Sequence, residues 1–440
     1  MKKKILSLQL VLLLLLSLAG CGTESATEQN QSSSKDGAEL TGEITLVSLP
    51  DYHDSMMAVI QAFEEAYPGI TVNCEEYPYA EIFDAIEVKL GSKSTDFDVL
   101  MVDAPVVGGY VYKGYIAPMD EYFSEEEIGQ FTTALAQSSS CDGQFYAPPL
   151  KNSSMVLWYN KDLLDSAGIP YPSEDPNERL TWEQIVDYSQ KIMAANSDNP
   201  AIYGLTFQQL SRPYQILPLI ESKGGKVFGD DALTTTGYLN STATEEALQW
   251  YQDIHNQYGI SPKGIAVSET TGQFQAGNIA FLVGNIYAFK QLEETEGLNY
   301  GYAPFPYFEG GVPATPTDSF HVGISNYSEN KDLAALFVKY LTLGEGNDIF
   351  MDLQGEFAAR INVLESYDSD EKYQAFPWSA MKLGAYEAIN TAAPRPVSTG
   401  YREFEALVEP CFEDIRNGAD VNESLTNAAK QIDEQLIAYQ

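Results

Sequence analysis

Histidine is scarce in this chain, with three among 440 residues, at His53, His255 and His321. Imidazoles so scattered assemble no metal centre, and neither a metal nor another cofactor is expected. Cysteine is almost as rare, and Cys21, Cys74, Cys141 and Cys411 fit no metal-ligand spacing. There is no Gly-x-Ser-x-Gly elbow, no glycine-rich phosphate loop and no Cys-x-x-Cys pair, so nucleophilic, nucleotide and dithiol chemistry lack a local signature. The deepest shortage is positive charge: 25 Lys and Arg stand against 63 Asp and Glu, a formal net charge of −38. That balance keeps a protein soluble and argues against nucleic acid as a partner.

What is present begins with an apolar run. Residues 5–18 are apolar except for Ser7, Gln9 and Ser17, follow three lysines at positions 2–4, and end at Leu18-Ala19-Gly20-Cys21. The run falls short of the roughly 20 residues of a membrane-spanning helix, and residues 1–20 read as a signal peptide. The closing tetrapeptide resembles a bacterial lipobox, which implies cleavage before Cys21 and a lipid on its sulfur. Without the leader lysines, 22 basic side chains face 63 acidic ones, a charge of about −41. Residues 21–41 have little to bury and read as a disordered tether. Among Cys74, Cys141 and Cys411 at most one disulfide can form.

At 440 residues the chain exceeds the ~250–300 at which single cores stop growing, so two domains are expected. Its 28 tyrosines against four tryptophans suit surfaces that need an apolar face and a hydroxyl together, although packing is the commoner role of any one tyrosine. Hydrophobic patterning over 43–49, 70–74 and 97–103 predicts three strands. The stripe Met56, Val59, Ile60, Phe63 and the segment 82–90 predict helices between them, so a largely parallel sheet is implied. Ligands of such sheets bind beyond the carboxyl ends of the strands. This singles out Asp51, Tyr52 and His53 after the first strand and Asp103 after the third, with helix capping an equal alternative for Asp103.

The most informative stretch is 147–193. Pro148 and Pro149 end what precedes them, the polar gap 151–154 holds Asn152 and Ser153, and 155–159 reads as a buried strand. A short helix over 162–167 stops at Gly168, and Thr181 with Gln184 forms a capping box for the next. Thr242 with Glu245 reads as the cap of a further helix over 242–258. That helix carries His255, which reads as a surface or half-buried residue without a ligand role.

Pro149, Tyr159-Asn160-Lys161-Asp162-Leu163, Ala167-Gly168-Ile169 and Thr181-Trp182-Glu183 resemble the signature of the extracellular solute-binding proteins of family 1, the sugar-capturing components of ABC importers. Pro213-Tyr214, Pro218-Leu219-Ile220 and Gly224-Gly225 are similar to a second family segment, and 274–281 to a third, with Phe281 in place of a methionine. The resemblance implies an α/β, two-lobed periplasmic-binding-protein fold of type II, each lobe a mainly parallel sheet flanked by helices, joined by a hinge of several crossings. It implies an amino-terminal lobe of 43–151 plus 319–365 and a carboxyl-terminal lobe of 155–313 plus 372–440. It further implies a monomeric binding protein, not an enzyme, that holds a carbohydrate, an oligosaccharide, between its lobes. Delivery would be to the membrane permease subunits, from the extracellular face of the cell membrane, with the lipid on Cys21 as anchor.

Carried onto this chain, the resemblance makes Tyr214 a ring-stacking candidate with Gln208 and Arg212 beside it, and Tyr287 a second. It places Tyr401 and Arg402 at a helix start that brings contacts up from the second lobe. Arg395 and Arg402, rare positive charges in an acidic chain, suit a bond to a ligand hydroxyl or carboxylate. Blander readings stand beside these: Tyr214 packing a helix start, Tyr287 packing inside its lobe, Arg395 and Arg402 in salt bridges. The aromatic that maltose binders place beside the third strand is missing here, which weighs against maltodextrin as the ligand. Two rivals share many of these features. One is a binder of a non-sugar solute such as a glycerol phosphodiester, polyamine or peptide; the other is a lipid-anchored glycan hydrolase, which needs two carboxyls facing each other across a sugar.

Overall fold

A computed structural model describes residues 40–440; the leader, Cys21 and the tether as far as residue 39 lie outside the described residues. Strands β1 (Gly42–Ser48), β2 (Ile70–Glu76) and β3 (Val99–Asp103) pair in parallel, with β1 central among the three. β3 is buried along its whole length, as its unbroken apolar run requires. The chain then enters a second sheet, built from β4 (Met155–Asn160), β5 (Tyr203–Phe207), β6 (Ile279–Asn285) and β7 (Tyr300–Ala303). It returns to the first as β8 (Phe320–Ile324), antiparallel to β3, with Phe320 opposite Asp103. In the second sheet β4 opposes both β6 and β7, while β5 and β6 run together. Three strands of four share a direction in each sheet, but only the first sheet is mainly parallel by pairing: in the second the reversed β4 lies inside the sheet, so β5 with β6 is its one parallel pair among three, and the expectation of a mainly parallel second sheet needs correction.

Helices cover these sheets with the faces that the sequence marks. In the helix His53–Ala66 the buried side chains are Ser55, Met56, Val59, Ile60 and Phe63, and Phe63 meets Phe337 edge to face at 5.0 Å. Thr181 and Gln184 form the reciprocal cap expected of them at the helix Trp182–Ala195. Gly168 takes φ +65°, the left-handed conformation that ends a short helix cheaply. Two expectations need correction. Ser241, not Thr242, caps the helix Thr242–Asn256, because Thr242 already lies inside it. His255 is fully buried, edge-on to Tyr251 at 5.3 Å, and burial lowers its pKa to about 3, so it is held neutral. Cys74, Cys141 and Cys411 are all free thiols.

One half-buried acid offers a test of this packing. Glu221 lies at the end of the helix Pro213–Ser222, and burial alone pushes its carboxyl up to about 7. A carboxyl raised in the folded state loses stability as pH climbs from its unfolded pKa of about 4.3 to the folded value, and the loss stays in place above that. Glu221→Gln is therefore expected to raise the melting temperature at pH 8 and leave it unchanged at pH 4. Equal shifts at both pH values would contradict a desolvated carboxyl at this position.

Candidate functional site

The carboxyl ends of β3 and of the parallel strands in the second sheet face a common cleft, as open parallel sheets dictate. In it lies a cavity of about 270 Å³. At its centre is Arg395, held by the Pro394-Arg395-Pro396 segment between Ala392–Ala393 and the helix Tyr401–Arg416. Its Nη1 and Nη2 donate to the two oxygens of Asp103 at 3.0 and 2.6 Å. Nε and Nη2 donate to Asp318 at 2.9 and 2.8 Å. The guanidinium is nearly buried, as are both carboxylates. Burial pushes Asp318 up while the charge of Arg395 pulls it down, and the net direction is upward. Burial opposes the charge on Arg395 too, but the two aspartates outweigh it and the group stays a cation.

Aromatic faces and polar groups complete the lining. Tyr214 sits 5.8 Å below the guanidinium, and its hydroxyl lies 2.6 Å from Ser153 Oγ. Tyr79 donates to Asp103 at 3.4 Å and packs on Phe320. Gln209, Asn285, Glu405, Glu409 and Arg212 supply further acceptors and donors. Rings, carboxylates and a guanidinium in one cavity match a ligand with apolar C–H faces and many hydroxyls.

Of the residues singled out from the sequence, Asp103, Ser153, Arg212 and Tyr214 line this cavity together. The others have different partners. Asp51 is exposed, His53 pairs with Glu76 at 2.8 Å on the surface, and Tyr52 is buried with Lys151 above its ring at 5.0 Å. Asn152 points inward, accepting from Thr317 Oγ1 at 2.9 Å. Gln208 turns away to accept from Asn285 N at 2.8 Å, and its neighbour Gln209 faces the cavity instead. Tyr287 ties two distant segments together: its hydroxyl donates to Asn152 O at 2.7 Å and accepts from Phe357 N at 2.9 Å. Tyr401 is buried behind Arg395, donating to Glu405 at 3.0 Å. Arg402 pairs with Glu87 at 3.0 Å and Asp84 at 3.3 Å on the helix Tyr79–Gly91 of the other lobe. Sequence reasoning left Arg395 open between ligand and ion pair, and it missed Asp318, Tyr79 and Glu405. The Pro-Arg-Pro spacing in an acid-rich chain was the available signal for the first.

Known proteins agree with this architecture. The galactooligosaccharide-binding protein of Bacillus subtilis is 24% identical over 96% of this chain and 95% of its own. The maltodextrin-binding protein of the same organism is 24% identical over 91% and 92%. A solved ABC substrate-binding protein of Listeria monocytogenes, in complex with cycloalternan, shares the fold with a TM-score of 0.74 at 21% identity, covering 90% of this chain and 99% of that one. The family described as bacterial extracellular solute-binding protein matches residues 48–348, which include β3, β8 and the Tyr214 segment. A polar, ring-lined cleft and a family match over most of the chain lead to one conclusion: the protein is a member of the bacterial extracellular solute-binding proteins.

Proposed function

We propose that this chain captures a carbohydrate in the cleft around Arg395 and delivers it, as a monomer, to the permease subunits of an ABC importer. A lipid on Cys21 would hold it at the outer face of the membrane, with 43–151 plus 319–365 as one lobe and 155–313 plus 372–440 as the other. The observation that carries the reading is the cavity itself, where Tyr214, Tyr79 and Phe320 lie among Asp103, Asp318, Glu405 and Arg395. The names of the two Bacillus relatives, binders of galactooligosaccharide and maltodextrin, support the same ligand class. Ligand contacts made to both lobes at once favour the closed form, and that differential affinity is what drives closure. Binding rather than hydrolysis fits the acids present. Asp103 and Asp318 share one guanidinium, and Glu405 and Glu409 stand one turn apart on one helix rather than across a ring.

Isothermal titration of the purified protein against mono- and oligosaccharides, with product analysis on the same samples, tests this. Saturable binding of unchanged sugar is expected, and Tyr214→Ala should weaken it at least tenfold, about 1.4 kcal/mol. Cleaved sugar, or no binding across the panel, would sink the reading.

A further inference from the structure

A separate cavity, of about 510 Å³, shares no lining residue with the one around Arg395, yet Pro394 and Pro396 form part of its wall. Arg395 thus lines the first cavity while its two neighbours line the second. Facing the prolines is the helix Pro213–Ser222, whose Leu217, Ile220 and Glu221 stand on one stripe. A tight turn then brings the chain back to close the wall. Gly224 takes φ +78°, Gly225 N donates to Ile220 O at 2.9 Å, and a Cβ on Gly225 would stand 2.7 Å from the Ile220 Cγ2 methyl. This turn delivers Val227 and Phe228 to the lining.

Among apolar side chains and glycines, Glu221 and Lys226 are the charged members of that lining. Burial by itself accounts for the raised carboxyl of Glu221, with no cation or donor among the described residues acting on it. The cations on the surrounding elements are engaged elsewhere. Lys226 pairs with Asp230 at 2.6 Å, Lys223 lies 3.9 Å from Glu246, and Arg395 serves Asp103 and Asp318. A carboxylate partly stripped of water in an apolar wall gains from a cation brought to it, and the wall gains from whatever apolar body carries that cation. A neutral apolar molecule would leave the carboxylate unpaired, and an anion would be repelled by it. The volume falls within the ~300–1,000 Å³ of ordinary small-molecule sites. Going beyond the carbohydrate reading and not resting on it, we infer that this cavity is a second ligand site, for a primary organic ammonium with an apolar body. Its N–H groups donate to Glu221, and its body lies against Leu217, Val227, Phe228 and the two prolines.

The test is titration of the purified protein with phenethylammonium, with the neutral phenethyl alcohol and with the anion hydrocinnamate, at pH 8 and pH 5, for the parent and for Glu221→Gln. At pH 8 the ammonium is expected to bind saturably and at least tenfold more tightly than the alcohol, with hydrocinnamate weakest. At pH 5 its affinity should fall at least tenfold, because a carboxyl pushed up to about 7 must then give up its proton to meet the cation. Glu221→Gln keeps the size of the side chain and should abolish both the preference for the ammonium and its pH dependence. Ammonium binding that survives in Glu221→Gln would place the cation on the acid-rich surface and overturn the inference. Equal affinity for the alcohol, or no saturable ammonium binding at pH 8, would overturn it too. These titrations contain no sugar, so each outcome leaves the carbohydrate reading where its own experiment puts it.

Discussion

Replacing Arg395 with methionine is expected to cost roughly 3–5 kcal/mol of unfolding free energy at pH 8. The cation serves two carboxylates that are almost wholly out of water, so its removal leaves Asp103 and Asp318 side by side without a counter-charge. Breaking a buried pair from one side is far costlier than never having built it, because the remaining charge cannot resolvate. The deficit carries a pH signature. Without Arg395, the buried Asp318 keeps its proton to higher pH than in the unfolded chain. The penalty therefore grows as pH rises from about 3.9, the unfolded value, to the raised folded one. Urea unfolding should thus show a smaller difference between Arg395→Met and the parent at pH 4 than at pH 8, and Asp318→Asn should restore part of the loss. A deficit under about 1 kcal/mol, in the range of an exposed pair, would show that the clamp is not desolvated in solution. Sugar affinity should fall with it, since Arg395 lines the proposed sugar cavity beside the ring of Tyr214.

Glu387→Ala is expected to be as damaging, and away from the cleft. Glu387 and Arg179 form a two-toothed ion pair at 2.6 and 3.1 Å with almost no exposure. The same carboxylate accepts from Phe305 N at 3.2 Å, from Thr315 Oγ1 at 2.9 Å and from Thr391 Oγ1. One side chain thus joins the loop before the Trp182–Ala195 helix, the chain leaving β7 and the paired segments Thr315–Pro316 and Ala392–Ala393. Truncation strands a buried guanidinium and several donors, and a loss of about 3–5 kcal/mol follows. Thermal and urea unfolding read it directly. Pairing Glu387→Leu with Arg179→Met should recover most of the loss, since both charges then leave together; a double variant no better than Glu387→Ala would place the damage in the lost hydroxyl and amide bonds.

How far the site was legible depends on range along the chain. The strands were visible because β3 and β4 are unbroken apolar runs, and the Thr181–Gln184 cap because it closes within three residues. The cavity was half visible: Asp103, Ser153, Arg212 and Tyr214 follow from strand ends and a shared segment. Whether Gln208 or Gln209 faces the ligand was not, since a backbone turn decides it, and Leu210 at φ +49° sits in that turn. Arg395 finds Asp103 some 292 positions away and Asp318 some 77 away. No local pattern encodes such distances, so only the folded chain shows that this arginine is paired. Tyr287 follows the same logic, its hydroxyl bonded to Asn152 O and Phe357 N, 135 and 70 positions away.

The placement of β8 has a consequence for how the molecule is made. The second sheet has all its strands once residue 303 is synthesised, but the first waits for Phe320–Ile324, which close it against β3. A chain emerging from its amino end thus holds β1, β2 and β3 with one edge unpaired while all four strands of the second sheet are still arriving. An open apolar edge of that kind is a site for wrong pairing between nascent chains. The sheet that begins first is the one that finishes last.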